Sequence, residues 1–588
     1  MSSFRERAAQ DIEARGEDPG VLPLMRQLVV DSHAMLSRAP ADAAQRAQDA
    51  RTHAVDNMAR LHAEVREKLA ERSIGYHRAA SAEDAVAIVE LLLGSAKRVA
   101  KSKSMVAEEV GLTHALRNAR IDVLETDIGE YIVDVEGRGP SHITAPALHL
   151  NRARIRELLN RTGASLDTDD PEQLSRYVRD VVGDYFTRCD AAITGANAVI
   201  ASSGRIAIVE NEGNVALGVS HPRLHIVITG IEKVVADEAG ALSVLEVLAA
   251  NATAQPLTAF THFLGEPLPG QERHVVFVDH GRSAIAADRR YRDALRCIRC
   301  GACMNTCPVY RAAGGLSFGS PYMGPIGAVI SPLLWRDGRA DDLPFASSLC
   351  GACTEICPVG IPLHRMLLDL RGDAVEDHRA GNRVERAAWA MWARSLGSGR
   401  RGRMAERFAR IGIKAAGLAP GFGRLVGKRL PRSGARHSLD MLRASAPQAE
   451  PKPTTVPPAI PDTGLPDLFR ARAGLLGVTI AEQATLQEGD RRLKATAAIA
   501  STGSVVLTGE MANRRELLAA RRVVVDLDPA TIVEYPHQVE PYLGDGDALI
   551  LTGASRTADI EKKIVRGIHG SEELVVVMGE GEAERRGS

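Results

Sequence analysis

The 588-residue sequence predicts a mainly parallel α/β domain, then a helical module organised by cysteines, then a shorter α/β segment. Three observations carry this. Short β-branched runs alternate with helical stretches between about residues 97 and 287, the texture of a parallel sheet with crossover helices. Seven of the eight cysteines fall in two groups between positions 297 and 357. The stretch beyond residue 467 echoes part of the first α/β domain.

Residues 1–95 read as an N-terminal helical region of that domain. Ala41–Ala70 is rich in Ala, Arg, Glu and Gln with few Gly or Pro, and Asp84–Leu93 carries an apolar stripe at helical spacing. The α/β domain proper is expected over 96–287. Its strands are placed at Ile121–Leu124, Tyr131–Val135, Ala198–Ile200, Ile206–Val209, His225–Ile228 and His274–Val278. A helix over about Asp288–Arg296 leads into the cysteine module, residues 288–372.

The first cysteine group is Cys297, Cys300, Cys303 and Cys307, followed by Pro308. In this C-x₂-C-x₂-C-x₃-C-P run three thiolates hold one [4Fe–4S] cube and the fourth reaches a second. The second group is Cys350, Cys353 and Cys357, followed by Pro358, and it repeats the ending of the first. Gly301 and Gly351 let the backbone approach inorganic sulfide. The expected partition is Cys297, Cys300, Cys303 and Cys357 on cluster one, with Cys307, Cys350 and Cys353 on cluster two. A complete second run would place a cysteine at position 347, where Ser347 stands. The fourth site of cluster two is then Ser347, water, a partner's ligand or nothing, the last giving a [3Fe–4S] species. Zinc prefers separated CxxC pairs, often with histidine, and fits less well. Disulfides fit worse still, because CxxC cysteines without a secretory signal point to metal or redox work. Cys189 stands alone and reads as a small buried apolar residue. Two clusters in one chain indicate electron transfer.

Between the cysteine groups, Gly314–Pro332 reads as a Gly/Pro-rich loop. The region 373–445 is helical and basic: from Arg383 to Arg436 there are fourteen Lys/Arg against two Glu, with Trp389 and Trp392 near its start. A solvated helical pair and a docking face for an acidic partner or membrane surface both fit it. Gly397–Gly402 is a literal GxGxxG, but no strand precedes it and no acidic residue follows near twenty positions on, so it is not a dinucleotide site. Residues 446–466 form a Pro-rich, semi-rigid linker. In 467–588, Ile499–Leu507 aligns with Ile200–Ile208, Val523–Val525 with His225–Ile228, and Ala548–Ile560 with His274–Ala284. This second copy lacks the front half of the first.

The net charge of −1 gives no general attraction to nucleic acid. No apolar run approaches the ~18 residues of a transmembrane helix, and the first residues contain no apolar signal core. The expected location is cytoplasmic, with peripheral membrane contact left to the basic segment.

Several motifs resemble the lactate-utilisation protein B family. They are Lys101–Glu109, Glu125–Tyr131, Pro140–Ile143, Glu210–Asn214, Thr229–Lys233 and the cysteine groups with Cys303–Tyr310. The resemblance covers about residues 1–440. The tail, with Thr552–Glu561 and Gly567–Gly570, is similar to the second half of lactate-utilisation protein C, so the chain looks like a B-type subunit fused to a partial C-type one. The resemblance implies an LUD domain, akin to the sugar-isomerase and CoA-transferase class, a helical two-cluster ferredoxin module and a partial C-terminal LUD segment. It implies electron transfer in L-lactate oxidation to pyruvate, with a cysteine-rich A-type subunit as partner, and the truncated C-type half leaves open whether a separate C-type subunit is also required. Another 2-hydroxy acid such as glycolate, or a redox-sensing or structural scaffold, is the competing reading. Lys101, Lys103, Glu210, Glu212, Glu232 and Lys233 are candidates for a carboxylate or cofactor site, against the plainer reading of a surface ion-pair cluster.

Overall fold

The computed structural model describes residues 3–15, 21–377, 464–560 and 564–578, with two isolated positions at 387 and 390. Nearly all of the expected basic region and the linker up to residue 463 lie outside those residues. Residues 1–370 and 453–588 form one compact unit, and residues 371–452 group separately.

Twenty strands are described. In the first copy they are β1 (Ile74–Ala79), β2 (Arg98–Lys101), β3 (Asp122–Glu125), β4 (Ala191–Thr194), β5 (Ala198–Ile200), β6 (Ile206–Glu210), β7 (Leu224–Gly230), β8 (Val234–Val235), β9 (Phe260–Leu264) and β10 (Glu272–Val278). In the second they are β11 (Thr479–Ala481), β12 (Asp490–Lys494), β13 (Ala497–Ile499), β14 (Ser504–Thr508), β15 (Arg522–Leu527), β16 (Ile532–Val533), β17 (Ala548–Leu551), β18 (Arg556–Thr557), β19 (Val565–Arg566) and β20 (Glu573–Met578).

The first sheet is parallel throughout, in the order β1-β10-β7-β4-β2-β3. Alternate side chains of its central strands enter different cores. Ile226, Ile228, Val276 and Val278 face one, and Val227, Val275 and Phe277 face the other. Burial on both faces is why these strands read as near-continuous apolar runs.

The repeat is spatial as well as sequential. An eight-stranded sheet runs β16-β13-β14-β17-β9-β6-β5-β8. Its centre is the antiparallel pair β17 and β9, with Leu549 opposite His262 and Ile550 opposite Thr261. Outward from that seam the order is the same on both sides: two antiparallel pairings, then a parallel one. A third sheet, β11-β20-β15-β12, repeats β1-β10-β7-β4. Only residues 482–489 separate β11 from β12, whereas 80–190 separate β1 from β4. The second copy therefore has no β2 or β3, and it completes the first copy's sheet.

Several expectations are corrected. Residues 131–135 form no strand; they belong to the helix Ile128–Glu136, where the Asp127 side chain caps the N-terminus by accepting from Glu130 N–H at 3.1 Å and Gly137 at φ 77° ends it. The two end signals outweigh a β-branched composition. The expected helical region 1–95 contains β1, an edge strand of the parallel sheet. The expected loop 314–332 is a loop with one 3₁₀ turn, Leu316–Phe318, only as far as residue 323, and the helix Gly324–Trp335 takes up the rest, while 288–296 holds only a short 3₁₀ turn, Arg292–Arg296. Ala548–Leu551 takes the place of β9 rather than β10, β20 takes that of β10, and Thr552–Ile560 continues into β18 and a loop instead of a helix.

Ending the chain at residue 463 would strip β17 from β9 and leave a fully buried strand, Phe260–Leu264, as a bare edge. Apolar open edges recruit other chains. The truncated protein is expected to aggregate and to run in the void volume of a gel-filtration column. A soluble, folded truncation would show that the seam is dispensable.

Candidate functional site

The two cysteine loops share one backbone design. In the first, Arg299 (φ 64°) precedes Cys300 and Gly301 (φ 78°) follows it; in the second, Leu349 (φ 55°) precedes Cys350 and Gly351 (φ 86°) follows it. A left-handed residue on each side of the cysteine curls the chain so that amide groups face inward. The Arg299 N–H donates to Cys297 Sγ at 3.4 Å. At the matching place in loop two, the Leu349 N–H donates to Ser347 Oγ at 3.1 Å. Ser347 thus sits where the first loop has Cys297. Two more amides point at sulfur: Tyr310 N–H at Cys307 (3.5 Å) and Ile361 N–H at Cys357 (3.4 Å).

The sulfurs fall into two groups. After burial, which raises each of these thiols, Cys300 feels Cys357 and Cys297, and Cys303 feels Cys297, Cys300 and Cys357. Cys353, pushed up to about 11 by burial, feels Cys307 and Cys350. All seven are free of disulfides; Cys297, Cys300, Cys307 and Cys353 are buried and Cys350 is exposed. Buried thiols gathered without a disulfide, with amides aimed at them, fit thiolate ligation of iron–sulfur clusters. The surrounding wall is apolar, built from Ile298, Met304, Val359 and Ile361. Cys189 is half-buried elsewhere, and burial raises its thiol to about 11.

The first loop forms one wall of a cavity of about 610 Å³, to which it contributes Ile298 and Arg299. Lys103, Asp127, Glu212, Lys233, Arg556 and Asp559 also line it. The Lys233 ammonium donates to the Cys297 carbonyl at 3.2 Å; burial and then Arg299 lower it to about 7.

The six candidate residues divide. Lys101 is wholly buried in ion pairs with Glu125 (2.8 Å) and Glu108 (3.0 Å), so it is structural. Burial would lower its pKa, but the two carboxylates hold it above the ordinary lysine value. Glu210 accepts from the backbone of Gly213, Val215 and Ala216 and from His262, which occupies its carboxylate. Burial alone would raise Glu232, but Arg282, then Lys233 and Arg299, hold it at about 2. Lys103, Glu212 and Lys233 reach the cavity with charge to offer. Lys103 lies 3.8 Å from Glu130, whose carboxyl burial raises to about 8.

Sequence reasoning passed over Asp127, Asp559 and Arg556 as individual residues. All three lie in quoted motifs, and what singles them out is spatial. One oxygen each of Asp127, Glu212 and Asp559 lies within 4.8 Å of the others. The second copy is pinned here through main-chain bonds, Arg556 N–H to Asn211 O at 2.7 Å and His569 N–H to Glu212 O at 2.9 Å.

The LUD domain family matches residues 62–282, and a 4Fe-4S dicluster domain matches 293–361. Lactate utilization protein B 2 of Bacillus mycoides (strain KBAB4) is 39% identical over 366 residues, spanning 61% of this chain and 77% of that protein. Lactate utilization protein B of Bacillus thuringiensis (strain Al Hakam) is 39% identical over 369 residues, 62% of this chain and 78% of its own. A crystal structure of a DUF162 family protein from Deinococcus radiodurans aligns with 38% of this chain and 98% of its own, at 18% identity and a TM-score of 0.22.

Proposed function

The chain belongs to the lactate-utilisation protein B family, and we propose from that premise that it is the iron–sulfur electron-transfer subunit of a complex oxidising L-lactate to pyruvate. The observation that carries the reading is the placement of the two cysteine groups. Cys297–Cys303 forms a cavity wall through Ile298 and Arg299, while Cys350 of the other group is exposed. The first group lies behind a cavity of a size suited to a small molecule, and the other reaches the surface, open to a partner.

Cys297, Cys300, Cys303 and Cys357 would hold cluster one, and Cys307, Cys350 and Cys353 cluster two, whose fourth site falls to Ser347 Oγ, water, a partner's ligand or nothing. Such clusters supply one-electron carriers whose potential depends on charge, amide hydrogen bonds and solvent exposure. The chain's own residues set those quantities. Arg299 N–H, Tyr310 N–H and Ile361 N–H stabilise charge on sulfur, and Lys233 and Arg299 add positive charge beside the first group. Lactate oxidation releases two electrons, so the cysteine-rich A-type subunit is the proposed redox partner. The C-terminal copy is read as a fused, partial C-type segment. Among the described residues no helix is long and apolar enough to cross a membrane.

The test has two parts. The full chain, purified without oxygen and reduced with dithionite, should give two interacting S = 1/2 signals. Ser347→Cys should remove any signal that the oxidised protein shows from a [3Fe–4S] centre. A strain lacking the gene should fail to grow on L-lactate and recover with the intact gene but not with Cys300→Ala. Growth unaffected by deletion would end the lactate reading, and a preparation without iron or sulfide would end the electron-transfer reading.

A further inference from the structure

Asp127, Glu212 and Asp559 come from three separate elements. Asp127 caps the helix Ile128–Glu136, Glu212 follows β6, and Asp559 follows β18 of the second copy. Their oxygens converge within 4.8 Å. Glu212 is 4% exposed. Its Oε2 accepts from Ile128 N–H at 3.1 Å, while Oε1 has no hydrogen-bond partner among the described residues. Burial, then Asp127 and Asp559, push its carboxyl well above the usual range. Burial and Asp559 raise Asp127 likewise, against Lys103. Such crowding is costly unless a cation is shared.

A second observation comes from the opposite charge. Arg556 lines the same cavity at 9% exposure, and its Nε and Nη2 have no partner among the described residues. Burial, then Arg566, lower it to about 10. A second cavity lined by both copies, about 1130 Å³, behaves differently. There Arg514 is paired with Asp547 and donates to His262 at 3.1 Å. Of these two buried arginines, Arg556 alone lacks an acidic partner among the described residues.

We propose that this cavity binds a hard divalent cation of the Mg²⁺/Mn²⁺ class on Asp127, Glu212 and Asp559, and through it a small carboxylate that also meets Arg556. All-oxygen donors select this class of ion, which keeps open positions for water or a ligand. Three carboxylates against a dication leave one net negative charge. Lys103 and Arg556 reverse it, and Lys233 and Arg299 also line the cavity, so the site with its cation still takes an anion. A bidentate guanidinium suits a carboxylate. The role of the second copy follows: it supplies Asp559 and Arg556 to a cavity that the first copy cannot close alone. A cation site here stands whether or not lactate is the substrate.

The experiment is a Mn²⁺ titration of the anaerobically purified full chain, read from the free-ion EPR spectrum at room temperature. Saturable binding is expected, weakened at least ~10-fold in Asp559→Asn and in Glu212→Gln. Oxalate is the anion probe. Added to the Mn²⁺-loaded protein it should lower water proton relaxation by displacing bound water. Arg556→Gln should lose that response and keep Mn²⁺ binding. Thermal melts of the variants guard against misfolding, and Asp559→Asn changes only a half-buried loop residue. Absence of Mn²⁺ binding, or equal binding in both carboxylate variants, overturns the cation site. An oxalate response that survives in Arg556→Gln overturns the anion assignment.

Discussion

Cys303→Ala is expected to remove about half of the protein's iron and to lower its melting temperature sharply. Cys303 interacts electrostatically with Cys297, Cys300 and Cys357, so its loss takes one ligand from a four-thiolate set. A cubane has one iron per thiolate, and two cubanes hold about eight irons in all. Ligation also closes a chain loop, because Cys357 lies far along the sequence from Cys297–Cys303. Opening that loop returns conformational freedom to the segment between. The affected residues belong to the largest core cluster, in which Cys297 and Cys300 pack with Met304, Tyr310 and Tyr322. Iron and sulfide analysis, visible absorbance and a thermal melt read the effect. Cys189→Ala is the control: it lies outside both groups, and it should keep all the iron and shift stability by no more than about 1 kcal/mol. Full iron content in Cys303→Ala would mean that the grouping is wrong.

The cysteine module was the most legible part of the sequence, because a cluster imposes its own local spacing. The same Gly after Cys300 and after Cys350 marks the same left-handed turn. The apolar runs of β5, β6, β7 and β10 were also readable, since strands buried on both faces have little other composition open to them. The error at 131–135 has a plain cause. Tyr131, Ile132 and Val133 favour strands, but their state is fixed by Asp127 in front and Gly137 behind. The repeat was visible as sequence, yet the partner of β17 was not, because the seam joins residues 260–264 to 548–551 and sequence carries no distance.

Motif residues were harder to assign. Lys101 and Glu210 stand in strong motifs and turn out to serve internal pairs. Ser141 and His142 do similar structural work, since the Ser141 carbonyl accepts from the Tyr310 hydroxyl at 2.5 Å and His142 Nε2 lies 3.0 Å from Asn305. A Cβ on Gly315 would lie 1.8 Å from the Ser141 carbonyl oxygen. That motif seats the cysteine module on the α/β domain. Asp127, Glu212 and Asp559, by contrast, carry no local signature of convergence. Three carboxylates from distant segments become a group only when the second copy folds onto the first.

Arg282→Met should destabilise the protein by about 3–5 kcal/mol, the range for stripping one partner from a buried ion pair. Arg282 is fully buried after β10 and binds two carboxylates at once, Glu232 at 2.6 Å and Glu109 at 2.6 and 2.8 Å, with the Tyr322 hydroxyl at 3.4 Å. Methionine fills similar volume, so the loss comes from charge rather than from a cavity. Glu109 would be left buried without its guanidinium, and Glu232 would keep only Arg299, 3.7 Å away, and Lys233. The sign of the pH effect follows. In the native protein Glu232 is held at about 2, below its ordinary value of 4.5, so its contribution is present above pH 4.5 and fades as pH falls toward 2. In the variant the largest of the charges that oppose burial at Glu232 is gone, so its carboxyl moves up from that low value and protonation on acidification relieves part of the loss. The stability gap between native protein and variant should be largest near pH 8 and smaller near pH 5.5. Adding Glu109→Gln and Glu232→Gln should restore part of the loss. The consequence reaches the cysteine loop, because Glu232 precedes Lys233, whose ammonium holds the Cys297 carbonyl. Chemical denaturation of the full chain at the two pH values checks the energy. A gap that did not depend on pH would place the loss in packing and not in the stranded carboxylates.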